Sequence, residues 1–191
     1  MYHNPVKVIV TDSWQKSCSN FQNKLNIKDP LIITSEQGVI RYNLSEKFPK
    51  NAIFDRVLPN PSFEDCQKAV NFSLKYNFDG VIAIGGGSVL DTAKPMIAAM
   101  SNNNGFLSEL LSLTKPYENK IKSIFIPTTH GTGSEVTKWG TIWNTKNKKK
   151  YSISHDDLYP SIAILDASLT TSLPLDISII TILDALSHSF E

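Results

Sequence analysis

The stretch GVIAIGGGSVLDTAK, residues 80–94, constrains the fold of this chain more than any other. A short apolar run enters Gly85-Gly86-Gly87-Ser88 and continues directly into a helical pattern. A run without polar alternation suits a strand covered on both faces of a sheet. Glycines allow backbone amides to approach an anion closely, and the start of a helix adds unpaired N–H donors and a positive dipole end. Two readings stay open on physics alone: a tight turn, or a phosphate cradle. The stretch is not the usual dinucleotide fingerprint, because G-x-G-x-x-G from Gly85 requires glycine where Leu90 stands, and the chain has no P-loop motif. Ser88 is expected to cap the helix or donate to a phosphate. Asp91 is expected near the mouth of the cleft, with Lys94 a turn further on. Pro95 cannot donate to the Asp91 carbonyl, so a kink or local loosening is expected there.

The rest of the chain alternates in the same way. Residues 6–10, 31–34, 52–58, 80–84, 123–126 and 161–165 read as short Val- and Ile-rich strands. Helical patterns lie between them. The clearest is PSFEDCQKAVNFSLKY, where Ser62 caps, Asp65 sits three residues on, and Phe63, Cys66, Val70 and Leu74 share a face. The lysine cluster 146–150 separates TIWN from YSIS and reads as a hairpin turn. The fold class expected is α/β, Rossmann-like, with a parallel sheet and crossover helices.

A second polar loop, TTHGTGSEVTKWGTIWN, follows the strand at 123–126. Its hydroxyls and glycines fit plain turn chemistry or a binding loop. Two such loops, each after a strand, favour ligand binding at the strand ends of an open sheet. After Pro174 one helical pattern runs to the end. On a wheel, Ile179, Leu183, Leu186 and Phe190 fall on one side, and Thr181, Asp184, His188 and Glu191 on the other. The expected division is residues 1–173 as a dinucleotide-binding domain and 174–191 as the start of a helical metal-binding domain.

Bulk properties remove several function classes. The formal net charge is +1 over 191 residues, which gives no global field for nucleic acid or anionic membrane. No apolar run approaches the ~20 residues that span a bilayer. Two cysteines are too few for a disulfide framework, and no signal-like start is present, so a cytoplasmic protein is expected.

The motifs GGGSVLDTAK, IPTTHGTGSEVT and LDALSHSFE, with LPNPSFEDC upstream, resemble in order and spacing the iron-containing (group III) alcohol dehydrogenase family. The likeness runs from about residue 31 to the end. It implies a nucleotide-binding α/β domain, a helical second domain, and an active site between them. Carried over residue by residue, Gly86, Gly87 and Ser88 line the dinucleotide pyrophosphate. Asn60, Thr128, Thr129 and Lys150 contact the cofactor, NAD(P)(H). Asp91 lies near the nicotinamide and, with His188, is assigned a catalytic part. Asp184 and His188 match two of four metal ligands, for Fe2+ or, in some relatives, Zn2+. Their i, i+4 spacing puts both on one stripe, which a wheel alone assigns to a solvated face. His3, His130 and His155 do not fall at the remaining ligand positions.

The implied reaction is hydride transfer between the nicotinamide and a small alcohol or aldehyde, in an enzyme that is a homo-oligomer at full length. Ser35 at the end of the second strand admits NADP(H), and Glu36 in that place favours NAD(H); the alignment leaves both open, with Ser35 preferred. His130, Lys138 and Trp139 resemble the phosphonoacetaldehyde reductase branch, where extra cations would suit a phosphonate. The bland alternative solvates Lys138 and packs the tryptophans in the core. Two rival readings are a sugar-phosphate cyclase-like lyase and a non-catalytic nucleotide-binding fragment.

Overall fold

The computed structural model describes residues 4–145 and 147–190. His3, Lys146 of the lysine cluster and Glu191 of the helical wheel lie outside the described residues.

Six parallel strands form the main sheet: β1 (Lys7–Thr11), β2 (Pro30–Ile33), β3 (Ile53–Phe54), β4 (Gly80–Gly85), β5 (Lys122–Pro127) and, after a hairpin, β8 (Ile162–Asp166). The hairpin pairs β6 (Trp139–Asn144) with β7 (Lys149–Ser154) in antiparallel register. The spatial order of the main sheet is β1-β8-β5-β4-β2-β3. The crossover helices are α1 (Trp14–Lys24), α2 (Glu36–Arg41), α3 (Phe63–Ser73) and α4 (Gly87–Asn102), followed by the short α5 (Leu107–Leu110). The expected third strand shrinks to two residues at the sheet edge, because the chain from 55 on leaves the sheet toward the cleft.

Side-chain alternation splits the core into two layers. Leu31, Ile33, Val81, Ala83 and Phe125 pack with α3, α4 and the hairpin residues Ile142 and Ile153. Ile32, Ile82, Ile84, Ile124 and Ile126 pack with Trp14, Cys18 and Phe21 of α1. Both faces are therefore covered, as a continuous apolar strand requires. Burying each of these side chains contributes about 1.5–3 kcal/mol. The Ser62 cap forms as the sequence indicates: its Oγ accepts from Asp65 N at 3.1 Å and donates to the Asp65 carboxylate at 2.7 Å.

The last helix, α6 (Leu175–Phe190), behaves differently. None of its residues is buried. Ser178, Thr181 and Asp184 are half-buried, while Ile180 and Leu183 are about three-fifths exposed and Phe190 is 89% exposed. Among its described residues Ser178, Thr181 and Asp184 are thus less exposed than the apolar Ile180, Leu183, Leu186 and Phe190.

Candidate functional site

The strand order marks where the sheet offers a crevice. The chain reaches β4 from the β2–β3 side and leaves it toward β5 and β8. Opposite winding on the two sides opens a crevice beyond the carboxyl ends of β2 and β4. Thr34 Oγ1 donates to the Ile84 carbonyl at 2.9 Å and ties those two ends together.

Gly86 is the residue that caps α4; Ser88 is already inside the helix, so the expectation of a Ser88 cap is corrected. Glycine has no side chain to satisfy the first amides, which leaves the amino end of α4 without a side-chain cap. Ser88 Oγ instead accepts from Asn60 N at 3.1 Å. Asn60 holds a left-handed conformation, φ 52°, a region that asparagine tolerates better than most residues. This contact brings the 59–61 turn to the start of α4.

The hydroxyl loop closes over the same helix start. Thr128 N donates to the Gly85 carbonyl at 3.0 Å. A Cβ on Gly86 would come within 3.2 Å of Thr129 Cγ2, and one on Gly87 within 2.8 Å of Thr132 Cγ2. The glycines thus let the threonine side chains pack directly on the helix start, with no side chain of the turn screening its amides. That is a donor set suited to a phosphate. Gly131, at φ 121°, takes the loop against α6: a Cβ there would stand 2.0 Å from the Thr181 carbonyl oxygen. Only glycine allows that approach.

The hairpin forms a further wall. Trp143 N donates to the Pro61 carbonyl at 3.0 Å, and Trp143 bridges to Ser62. Lys150 is exposed, with its ammonium 4.3 Å from the Trp143 ring centre, a cation–π contact. The structure therefore brings Asn60, Gly86, Gly87, Ser88, Thr128 and Thr129 to one rim, with Lys150 on the hairpin that docks there. Trp143 was not singled out by the sequence, and its cross-strand pairing with Lys150 is what reveals it.

Asp91 and Lys94 turn inward from α4. Asp91 accepts from Ser134 Oγ at 2.7 Å and from Thr141 N at 3.1 Å. Burial raises its pKa, opposed by the Lys94 charge and these two hydrogen bonds. Lys94 is fully buried, and burial lowers its pKa to about 8 against the attraction of Asp91 and Glu135. The helix runs through Pro95 to Asn102. The bond that Pro95 cannot make leaves the Asp91 carbonyl without its usual donor.

Asp184 and His188 lie one turn apart on α6, with Oδ2 and Nδ1 separated by 4.0 Å. A carboxylate and an imidazole fit Fe2+ or Zn2+ in donor type. Among the described residues no group of three or more His, Cys, Asp or Glu is gathered. His155 is committed elsewhere, stacked on Tyr117 at 4.3 Å. Lys138 pairs with Asp156 at 2.6 Å. The bland expectation that the tryptophans pack in the core fails for two of three: Trp139 is 54% exposed, and Trp143 is half-buried beneath Lys150. At the end of β2, Ser35 caps α2 by accepting from Gly38 N at 3.2 Å, and Glu36 is exposed.

Comparison with known proteins agrees with this geometry. The family model for iron-containing alcohol dehydrogenase matches residues 5–167. Long-chain-alcohol dehydrogenase 1 of Geobacillus thermodenitrificans is 39% identical over 142 residues, covering 73% of this chain and 35% of that protein. NADH-dependent butanol dehydrogenase A of Thermotoga maritima superposes with a TM-score of 0.86 at 24% identity, over 100% of this chain and 50% of its own. Sulfoacetaldehyde reductase of Bifidobacterium kashiwanohense, solved with NAD+, superposes with a TM-score of 0.85 at 26% identity, over 100% and 52%. The chain spans between a third and a half of the length of these relatives.

Proposed function

Because the chain belongs to the iron-containing alcohol dehydrogenase family, we propose that it forms the dinucleotide-binding half, and the first metal-binding helix, of a nicotinamide-dependent alcohol dehydrogenase or aldehyde reductase. The observation that carries this reading is the uncapped start of α4, where Gly86 and Gly87 leave the amides unscreened beneath the threonine loop. There the amides of the helix start bind the pyrophosphate of NAD(H) or NADP(H), with Ser88, Thr128 and Thr129 as hydroxyl partners. Asn60 orients Ser88, and Lys150 offsets phosphate charge from the hairpin.

Asp184 and His188 would hold a divalent metal, iron first and zinc second, whose chemistry is Lewis-acid polarisation of a substrate oxygen. The partial burial of Asp184 on α6 supports this reading. The outward apolar side supports residue 174 as the start of a second, helical domain that covers it. The substrate class is a small alcohol or aldehyde. An anionic aldehyde such as phosphonoacetaldehyde is favoured by the sulfoacetaldehyde reductase among the relatives. The engagement of Lys138 by Asp156 argues against it, since that cation is already paired.

A second reading, nucleotide binding without turnover, is favoured by the two-donor metal site. One experiment separates them. The protein is titrated with NADH and with NADPH, then assayed with Fe2+ or Zn2+ and a panel of aldehydes that includes phosphonoacetaldehyde. Binding with aldehyde-dependent oxidation of the nicotinamide supports the dehydrogenase. Binding alone supports the second reading, and absence of binding rejects both.

A further inference from the structure

The amino ends of the strands hold a cavity that the nucleotide and metal readings leave unused. Its volume is about 350 Å³, and it lies where β2, β3 and β4 begin. That volume falls within the range of small-molecule sites, about 300–1,000 Å³. β4 runs six residues from this end of the sheet to the cradle. The strand between them is about 17 Å long, so the two places are separate.

Three rings form the walls: Tyr76 and Phe78 before β4, and Phe48 on the segment that leads to β3. Tyr76 meets Phe78 edge-on at 5.8 Å and Phe72 of α3 at 6.5 Å, yet it stays 47% exposed. A ring braced by two others keeps one orientation, and what it leaves exposed is a fixed apolar face. Phe48 is braced through its backbone, where its N donates to the carbonyl of the buried Leu44 at 3.0 Å.

The polar side comes from the turn before β2. The Asp79 carboxylate accepts from Lys28 N at 2.8 Å and from Asp29 N at 2.9 Å. Asp79 N donates to the Asp29 carbonyl at 3.1 Å. These three hydrogen bonds fix the turn beside Tyr76 and Phe78. Asp79 is committed to the turn, whereas the Lys28 ammonium and the Asp29 carboxylate make no hydrogen bond or ion pair with any described residue. Lys47 also lines the cavity, but its ammonium is turned to the Trp14 ring, 5.5 Å from its centre. Among the described residues, the cavity thus presents one unpaired cation and one unpaired anion next to a rigid aromatic wall.

We infer that this cavity binds a small aromatic zwitterion, of the aromatic amino acid class. Its ring lies against Tyr76, Phe78 and Phe48, its carboxylate toward Lys28 and its ammonium toward Asp29. A ligand of either single charge meets one like-charged neighbour, and a neutral ring leaves both charges unmatched. The inference does not rest on the nucleotide reading.

The test is titration of the isotope-labelled chain with L-phenylalanine, followed by amide shifts in two-dimensional NMR. Phenethylamine, which lacks the carboxylate, and phenylpropionate, which lacks the ammonium, are titrated beside it. Phenylalanine should move the amides of residues 28–29, 50–52 and 76–79. Each analogue should bind about three- to fivefold more weakly, the worth of a solvent-exposed ion pair. Lys28→Gln should weaken phenylalanine by that factor and leave phenethylamine unchanged. Asp29→Asn should do the same and spare phenylpropionate. Both side chains are on exposed residues, so the variants keep the fold. An analogue that binds as tightly as phenylalanine overturns the inference. So does a lack of shifts at those amides up to the solubility limit, or shifts confined to 175–190, where exposed apolar side chains would adsorb any aromatic compound.

Discussion

Replacing Gly87 by alanine separates stability from binding. Gly87 is the first residue of α4 and its backbone is not in the left-handed region, so alanine fits the helix. Removing glycine's conformational freedom favours folding by about 0.5–1 kcal/mol. The new Cβ meets Thr132 Cγ2 at 2.8 Å and Oγ1 at 3.2 Å, both the movable end of a side chain. Turning Thr132 aside costs about 0.5–1.5 kcal/mol. These nearly cancel, so Tm should move by no more than about 3 °C. Binding has no such offset, because the methyl screens the helix amides and pushes Thr132 off them. Losing one charge-assisted hydrogen bond to a phosphate costs about 1.5–3 kcal/mol, or roughly ten- to hundredfold in Kd. The assay is a thermal melt beside NADH and NADPH titrations of both proteins. A Kd within about twofold of the original would refute the cradle. A large fall in Tm would refute the steric reasoning.

Other expectations follow from single groups. Lys94 has a folded pKa of about 8 against its ordinary 10.5, so the unfolded chain binds more protons between those values and stability should rise with pH. The full rise is up to about 3 kcal/mol. Cys18 and Cys66 oppose it above pH 9, where burial holds their thiols protonated to about 12, so the clean window is pH 8 to 9. Denaturant melts across that window should show a slope that Lys94→Met abolishes. Both thiols are buried and should ignore a disulfide reagent in the native state, then react fully in denaturant; fast native reaction would contradict the packing. His188→Ala should reduce divalent-metal binding by at least about tenfold with nucleotide affinity retained; unchanged metal uptake measured by equilibrium dialysis would reject the ligand assignment. Gly131→Ala must place a Cβ 2.0 Å from the Thr181 carbonyl oxygen at φ 121°. Amide exchange along 175–190 should therefore accelerate, and unchanged exchange would show that the loop does not seat α6.

Most of the sheet is legible in the sequence because fully buried strands need uninterrupted apolar runs, and β2, β4 and β5 have them. The Ser62 cap and the 139–154 hairpin are legible because their chemistry is local. What failed was contextual. Ser88 looks like a cap, yet Gly86 precedes it in the cap position and frees the hydroxyl for Asn60. Pro95 suggests a kink or local loosening; the helix continues through it to Asn102, and the Gly140 backbone of another element comes close to the freed Asp91 carbonyl. The sequence places Lys94 a turn beyond Asp91, but nothing in its neighbours announces that Ser134, Thr137 and Trp139 will surround its ammonium.

The orientation of α6 shows why periodicity alone misleads at a site. An amphipathic helix on a sheet domain ordinarily buries its apolar stripe, since that is where burial energy lies. Here Ser178, Thr181 and Asp184 face inward and Ile180, Leu183, Leu186 and Phe190 face out. None of its apolar residues is buried, and the Gly131 backbone approaches Thr181 closely. The arrangement fits the proposed reading, in which the inward face carries chemistry and the outward face meets another surface. On that reading the Gly131 contact would join two functions in one loop, since Thr128, Thr129 and Thr132 lie by the proposed nucleotide cradle and Gly131 approaches the helix that bears Asp184 and His188. A shift of that loop would disturb both sites together. Nucleotide and metal binding should therefore respond jointly to Gly131→Ala, whereas Gly87→Ala, which touches only the cradle side, should weaken nucleotide binding alone.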